Sequence, residues 1–298
     1  MAEPKGRFRR AYDELKSILF AAIAVVIIIG ALFLYSGIWP PLVVVESGSM
    51  EHSTTQSSIG VIDTGDMVLV QKVSSTSSIR TYVSSYSSGY NTFGEYGDVV
   101  VYQRYGSSQY TPIIHRAIIY LEYNATSLSF DAPSLANFPD DLWSHGGVSD
   151  GQWWSMTGNL EIFHVGYKDE TLVIPLDNLA KYKHNGFITK GDHNDLIDQN
   201  PQAPICREPI LDSWVVGVAR GELPWFGLLK LWASGQFTPY GPGVAANSWT
   251  DLFVCIFLIV AIPVSLDVVT SVMKKRGVDI WAKPKAWLER LKFWKKRS

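Results

Sequence analysis

Cysteine is scarce: the 298 residues hold two, Cys206 and Cys255. Cys255 sits inside an apolar run and Cys206 outside it, which argues against an intrachain disulfide. A disulfide-stapled scaffold is therefore excluded, and a domain of roughly 200 residues needs no staple. Positive charge is missing from the middle of the chain. Residues 36–251 carry 11 Lys and Arg against 22 Asp and Glu, the opposite of the balance a nucleic-acid partner requires. Residues 37–222 also lack any long 3.6-residue hydrophobic period, so a helical domain is not expected there.

The basic residues are at the ends instead. Residues 1–17 hold five basic and three acidic side chains, and residues 274–298 hold ten and two. Each basic end adjoins an apolar run. Ile18 to Tyr35 is uncharged and almost wholly apolar, and predicts a membrane helix over 18–36, since a bilayer core of about 30 Å takes about 20 such residues. A cleavable signal peptide would have a shorter apolar region and a small-residue cut site; this run leads into bulky Trp39-Pro40-Pro41. The second run predicts a membrane helix over 251–273. Pro263 and Asp267 weaken it, but a bilayer tolerates helical proline, Asp267 lies near the end, and Lys274-Lys275-Arg276 follows. The positive-inside rule then places 1–17 and 274–298 in the cytoplasm and 37–250 outside, as a multi-pass cell-membrane protein. Asn124-Ala125-Thr126 is a glycosylation triplet on the outward part. In the tail, Trp281, Trp287, Leu288, Leu291 and Trp294 recur at helical spacing among Lys and Arg, which predicts a basic amphipathic helix on the inner leaflet.

The outward domain reads as mostly β. Runs at 66–73, 98–103, 112–120, 171–174, 186–189 and 214–219 are short, rich in β-branched and aromatic residues, and separated by turn residues. Ser53–Gly60 and Ser74–Gly89 read as loops. The stretch at about 122–184, with Trp143, Trp153 and Trp154, reads as an ordered insertion rather than a linker.

Three segments carry candidate chemistry. Val43-Val-Val-Glu-Ser-Gly-Ser-Met50 is a strand entering a Ser-Gly-Ser turn just past the first apolar run. A serine hydroxyl needs a base to become a nucleophile, and His115 in Ile-Ile-His-Arg offers one. A base needs an orienting carboxylate, and 190–198 offers Asp192, Asp195 and Asp198. Taken alone, that last segment fits a metal loop or a solvated turn equally well.

In combination and order, these segments resemble type I signal peptidases. Val44-Val-Glu-Ser-Gly-Ser-Met50 is similar to the nucleophile box, Gly65-Asp66-Met-Val-Leu-Val70 and Gly97-Asp98-Val-Val-Val-Tyr102 to the strand starts that follow it, and Ile113-Ile-His-Arg116 to the general-base box. Phe187-Ile-Thr-Lys-Gly-Asp-His-Asn-Asp195 resembles the carboxylate box, and the segment from Val216-Gly217 to Gly227 the closing one. The likeness spans about 40–230 apart from the insertions. A histidine at the base position resembles the archaeal and eukaryotic branch, where the bacterial branch has lysine.

The resemblance implies a mainly β extracytoplasmic catalytic domain of signal-peptidase-like fold with two transmembrane α-helices. It implies a serine endopeptidase that removes signal peptides from exported preproteins after small residues. Ser49 is then the nucleophile and His115 the base. Asp198 has the spacing of the orienting carboxylate, with Asp192 supporting or sharing that role and Asp195 on the surface. The Ser49 N–H and the Ser47 hydroxyl form the oxyanion hole. Val43, Val44, Val45, Glu46, Asp66, Met67 and Val68 line the substrate pockets, and the peptide adds as a strand. No metal or organic cofactor is implied. Partners are preprotein signal peptides and the lipid bilayer, with the secretion translocon or accessory subunits as further candidates. A histidine base of ordinary pKa, about 6.5, implies activity that falls below about pH 6.

The chain departs from the family at Glu51-His52, where a residue and then proline are usual; without the proline the loop behind the nucleophile is looser. His52 is also a rival imidazole near Ser49. The alternatives are a non-catalytic membrane-anchored β-domain that binds signal peptides or partner proteins, a same-family peptidase with a specialised precursor, and an extracellular sensor or adhesin.

Overall fold

The computed structural model describes residues 4–235 and 243–276. The chain divides into two compact units at Ser248/Trp249. The first unit opens with helix α1 (Pro4–Ser36), whose stretch Ile18–Ser36 is long and apolar enough to cross a membrane. The second contains helix α5 (Ser248–Lys275) from Trp249 onward, and the stretch Ser248–Met273 passes the same test with Pro263 inside it. That stretch begins ahead of the expected 251 because Asp251 belongs to the helix's first turn, where an acidic side chain suits the helix dipole. The amphipathic helix expected at Trp281, Trp287, Leu288, Leu291 and Trp294 lies outside the described residues.

Between them the chain is mainly antiparallel β. In order come β1 (Leu42–Val44), β2 (Met67–Gln71), α2 (Tyr82–Tyr86), β3 (Asn91–Thr92), β4 (Glu95–Tyr96), β5 (Val99–Tyr102), β6 (Ile113–Asn124), β7 (Ser129–Asp131), β8 (Trp143–His145), β9 (Asn159–Val165), β10 (Glu170–Pro175), α3 (Leu176–Ala180), β11 (Gly186–Lys190), β12 (Val215–Leu223) and α4 (Gly227–Ala233). All six strand-like runs are strands. The main sheet has the order β1-β2-β12-β5-β6-β11, with β7 pairing the far end of β6, while β10-β9-β8 and β3-β4 form smaller sheets.

The segment 74–89, expected as a loop, contains α2. Thr81 and Ser84 cap it reciprocally, and Tyr82 and Val83 bury its inner side. The insertion is ordered, as its aromatics suggest, but it shares its core with the main sheet. Phe130, Trp143, Leu160 and Ile174 pack with Ile119, Leu121 and Ile188 in one buried cluster. A second cluster, with Met50, Ile62, Val68, Val70, Val99 and Val101, underlies the other end of the sheet. At about 1.5–3 kcal/mol for each fully buried side chain of this size, these clusters hold the strands in register.

Candidate active site

β1 ends the main sheet, paired on one side to β2 through Leu42–Leu69, Val43–Val68 and Val44–Met67. The pairing runs on past the strand, with Val45 N–H donating to Asp66 O at 2.9 Å and Gly65 N–H to Val45 O at 3.0 Å. The chain then turns through a short 3-10 segment, Gly48–Met50, and Met50 is buried in the core beneath it. An apolar side chain anchored there holds the residue before it, Ser49, at the sheet's end.

His115 lies on β6 opposite Val100 of β5. Its Nε2 is 3.0 Å from Ser49 Oγ, and its Nδ1 is 2.7 and 2.8 Å from the two oxygens of Asp198. Asp198 also accepts from the Tyr102 hydroxyl at 2.7 Å and from Thr189 Oγ1 at 2.6 Å. With Asp198 already the acceptor of these two hydroxyls, Nδ1 is its third donor, and Nε2 is left to accept the Ser49 proton. Burial, and then the Asp198 charge, push the Tyr102 phenol well above its ordinary value, so it remains a donor. His115 and Asp198 are both buried. The Asp198 backbone is fixed as well: its N–H donates to Thr189 O, and its carbonyl accepts from Ile205 and Cys206. Ser47 Oγ stands 3.3 Å from Ser49 Oγ.

Asp192 does not hold His115, in contrast to the supporting or shared role expected for it. Its two oxygens accept from Arg116 Nε at 2.8 Å and Nη2 at 2.6 Å, and His52 Nε2 lies 3.2 Å away. Adjacent residues of a strand point to opposite faces, so a carboxylate that meets Arg116 misses His115. Burial would raise the Asp192 carboxyl, but the Arg116 charge and hydrogen bonds, together with His52, outweigh it and pull the value down to about 2. Arg116 spends Nη1 on the carbonyls of Thr92, Glu95, Tyr96 and Gly97. His52 is thereby engaged by Asp192 rather than by Ser49. Asp195 is exposed and pairs with Lys168 at 2.8 Å.

The residues expected to line substrate pockets do not all meet one groove. Val43, Val44, Val45, Glu46 and Met67 border a groove of about 410 Å³ beside β1, with Lys230 across from Glu46 at 3.2 Å. Val68 points the other way, into the core. Asp66 is buried and caps backbone instead, accepting from Asp63 N–H at 2.7 Å and Trp225 N–H at 2.8 Å. Neither belongs to the groove. A separate cavity of about 440 Å³, bordered by Ser75, Thr81, Tyr120, Glu122 and Asp212, contains none of these residues.

Two features escaped the sequence reading. Gly191 packs on the site so closely that an added Cβ would lie 2.5 Å from Ser49 O and 2.8 Å from His115 Nε2; only glycine allows that approach. The second is a group of carboxyls around 51–66. Burial raises Glu51 and Asp66 to about 7, and Asp63 and Glu222 add like charge to one or both of them. Burial and then Asp63 raise Glu222 to about 7 as well. A carboxyl whose value is higher folded than unfolded binds more protons in the native state, so stability falls as pH rises from about 4.5 to about 7. The melting temperature is therefore expected to be higher at pH 5 than at pH 8. Glu51→Gln with Glu222→Gln should flatten that difference, as a thermal melt series across pH will show.

No protein-family model matches the chain, and no curated protein matches it.

Proposed function

We propose that the chain is a membrane-anchored serine endopeptidase that removes signal peptides from exported preproteins. The observation that carries this reading is the relay from Ser49 to the buried His115 and Asp198, set beside an apolar groove at the end of a sheet. Serine, imidazole and carboxylate at successive hydrogen-bond distances are the arrangement that acyl transfer needs.

In this mechanism an extended peptide adds along the outer edge of β1, with small side chains in the groove. Ser49 Oγ attacks the scissile carbonyl carbon while His115 Nε2 takes the hydroxyl proton. The charge on the carbonyl oxygen meets the Ser49 N–H and the Ser47 hydroxyl. His115 then gives its proton to the departing amine as the C–N bond breaks. A water attacks the Ser49 ester, again through His115, and releases the new carboxyl end. Asp198 holds the imidazole throughout and stabilises its charged form. The two apolar helices would keep the enzyme in the bilayer that also holds the substrate's apolar segment, and by the positive-inside rule the basic ends would put both termini in the cytoplasm.

The full chain in membranes is expected to cut a preprotein with an Ala-x-Ala site directly after the second alanine, read from the N-terminal mass of the product. Replacing that alanine with a bulky residue should abolish the cut. Cleavage indifferent to the residue at that position would contradict the assignment of substrate.

A further inference from the structure

The hairpin of β9 and β10 reaches from the insertion to the two loops that carry the site. The Tyr167 ring stacks on the His52 ring at 4.3 Å between centroids. Tyr167 Oη, His193 Nδ1 and the Glu51 carbonyl oxygen form a triangle with sides of 2.8, 3.2 and 3.2 Å. Next along the hairpin, Lys168 donates to the His193 carbonyl and pairs with Asp195. Glu170 forms an ion pair with the buried Lys190. At the base of the tip, Gly166 N–H donates to the Tyr82 hydroxyl at 3.2 Å. The loops so gripped are joined to the candidate nucleophile directly: His193 N–H donates to Ser49 O at 2.9 Å.

We propose that the tip of this hairpin is a clamp that positions Ser49 against His115. It presses the Glu51-His52 segment onto the 191–195 loop. Glu51-His52 contains no proline to stiffen it, so its course depends on contacts made from outside. Not every contact contributes equally. Asp195 is 84% exposed, and an ion pair in water contributes little, about 0–1 kcal/mol. Tyr167 is the residue that touches both loops at once, through its ring and its hydroxyl, and is therefore the positioning residue. The catalytic consequence rests on the function proposed above; the mechanical one does not.

The test compares Tyr167→Phe, which keeps the ring, with Tyr167→Ala, which removes ring and hydroxyl, both in the full membrane-bound chain. Tyr167→Ala is expected to lower kcat for preprotein cleavage by about 10- to 100-fold, the scale of a small misplacement of reacting groups. KM should stay within about twofold of wild type, because the groove beside β1 is untouched, and Tyr167→Phe should recover part of the loss. In a Ser49→Ala background, amide hydrogen exchange should rise in 48–52 and 191–195 and stay unchanged in β5 and β6. A kcat within about twofold of wild type for Tyr167→Ala would overturn the clamp, as would exchange that rises across the whole sheet. If the wild type cleaves nothing, the function proposed above fails, and local against global exchange alone decides the clamp.

Discussion

Replacing His115 with alanine is expected to lower kcat by about 10⁶-fold, the scale seen when a serine peptidase loses its base. Among the described residues no other imidazole is within hydrogen-bond distance of Ser49 Oγ. His115 Nε2 is the imidazole nitrogen bonded to Ser49 Oγ, at 3.0 Å. His52, the other imidazole near in sequence, is turned toward Asp192 and stacked on Tyr167. The loss should fall on kcat, with KM little changed, because His115 takes no part in the groove beside β1. Steady-state cleavage over a range of preprotein concentration separates the two. A residual rate within about tenfold of wild type would mean that the base lies elsewhere.

Asp198→Asn is expected to lower kcat by about 10⁴-fold while leaving the fold in place. An amide can still accept from Tyr102 and Thr189 with its oxygen, but it turns an NH₂ toward His115 Nδ1. That donor favours the tautomer with the proton on Nε2, which cannot accept from Ser49. Asp192→Asn should behave in the opposite way. Its carboxylate neutralises the buried Arg116, and breaking such a pair typically costs about 3–5 kcal/mol of stability. Thermal melts should show a large loss for Asp192→Asn and a small one for Asp198→Asn, with the order reversed in kcat measured below both melting points. A 10⁴-fold kcat loss for Asp192→Asn and a small one for Asp198→Asn would reverse the roles assigned here.

How far the sequence alone reaches depends on how local each signal is. The six strand runs and the two apolar runs were legible because each declares itself within a few residues, by β-branching or by unbroken apolarity. β3, β4, β7 and β8 were not, since two- and three-residue strands such as Asn91–Thr92 carry no period. β9 does carry one: Leu160 and Ile162 are buried between more exposed neighbours. That alternation was the available signal, and the Gly- and Trp-rich surroundings masked it. Ser49, His115 and the aspartates at 192 and 198 were visible as short motifs in order. The preference for Asp198 came from the spacing in the resemblance; that Asp192 leaves His115 altogether was not legible, because it turns on which face of β6 each loop residue meets. Arg116 gave no sign beyond its place beside His115. Tyr167 gave none at all, since it sits in an ordinary hairpin turn and meets Glu51 across 116 residues of sequence. Val68 and Asp66 were misplaced in the groove for the same reason that the strands were found: alternation sends every second residue inward.

The most direct test of the account compares wild type and Ser49→Ala side by side, as full chains in membranes, on one preprotein with an Ala-x-Ala site. Wild type is expected to give a shortened product and Ser49→Ala none above background, at equal protein level and unchanged melting temperature. Product formed at a comparable rate by Ser49→Ala would contradict it, because the hydroxyl placed 3.0 Å from His115 would then not be the nucleophile.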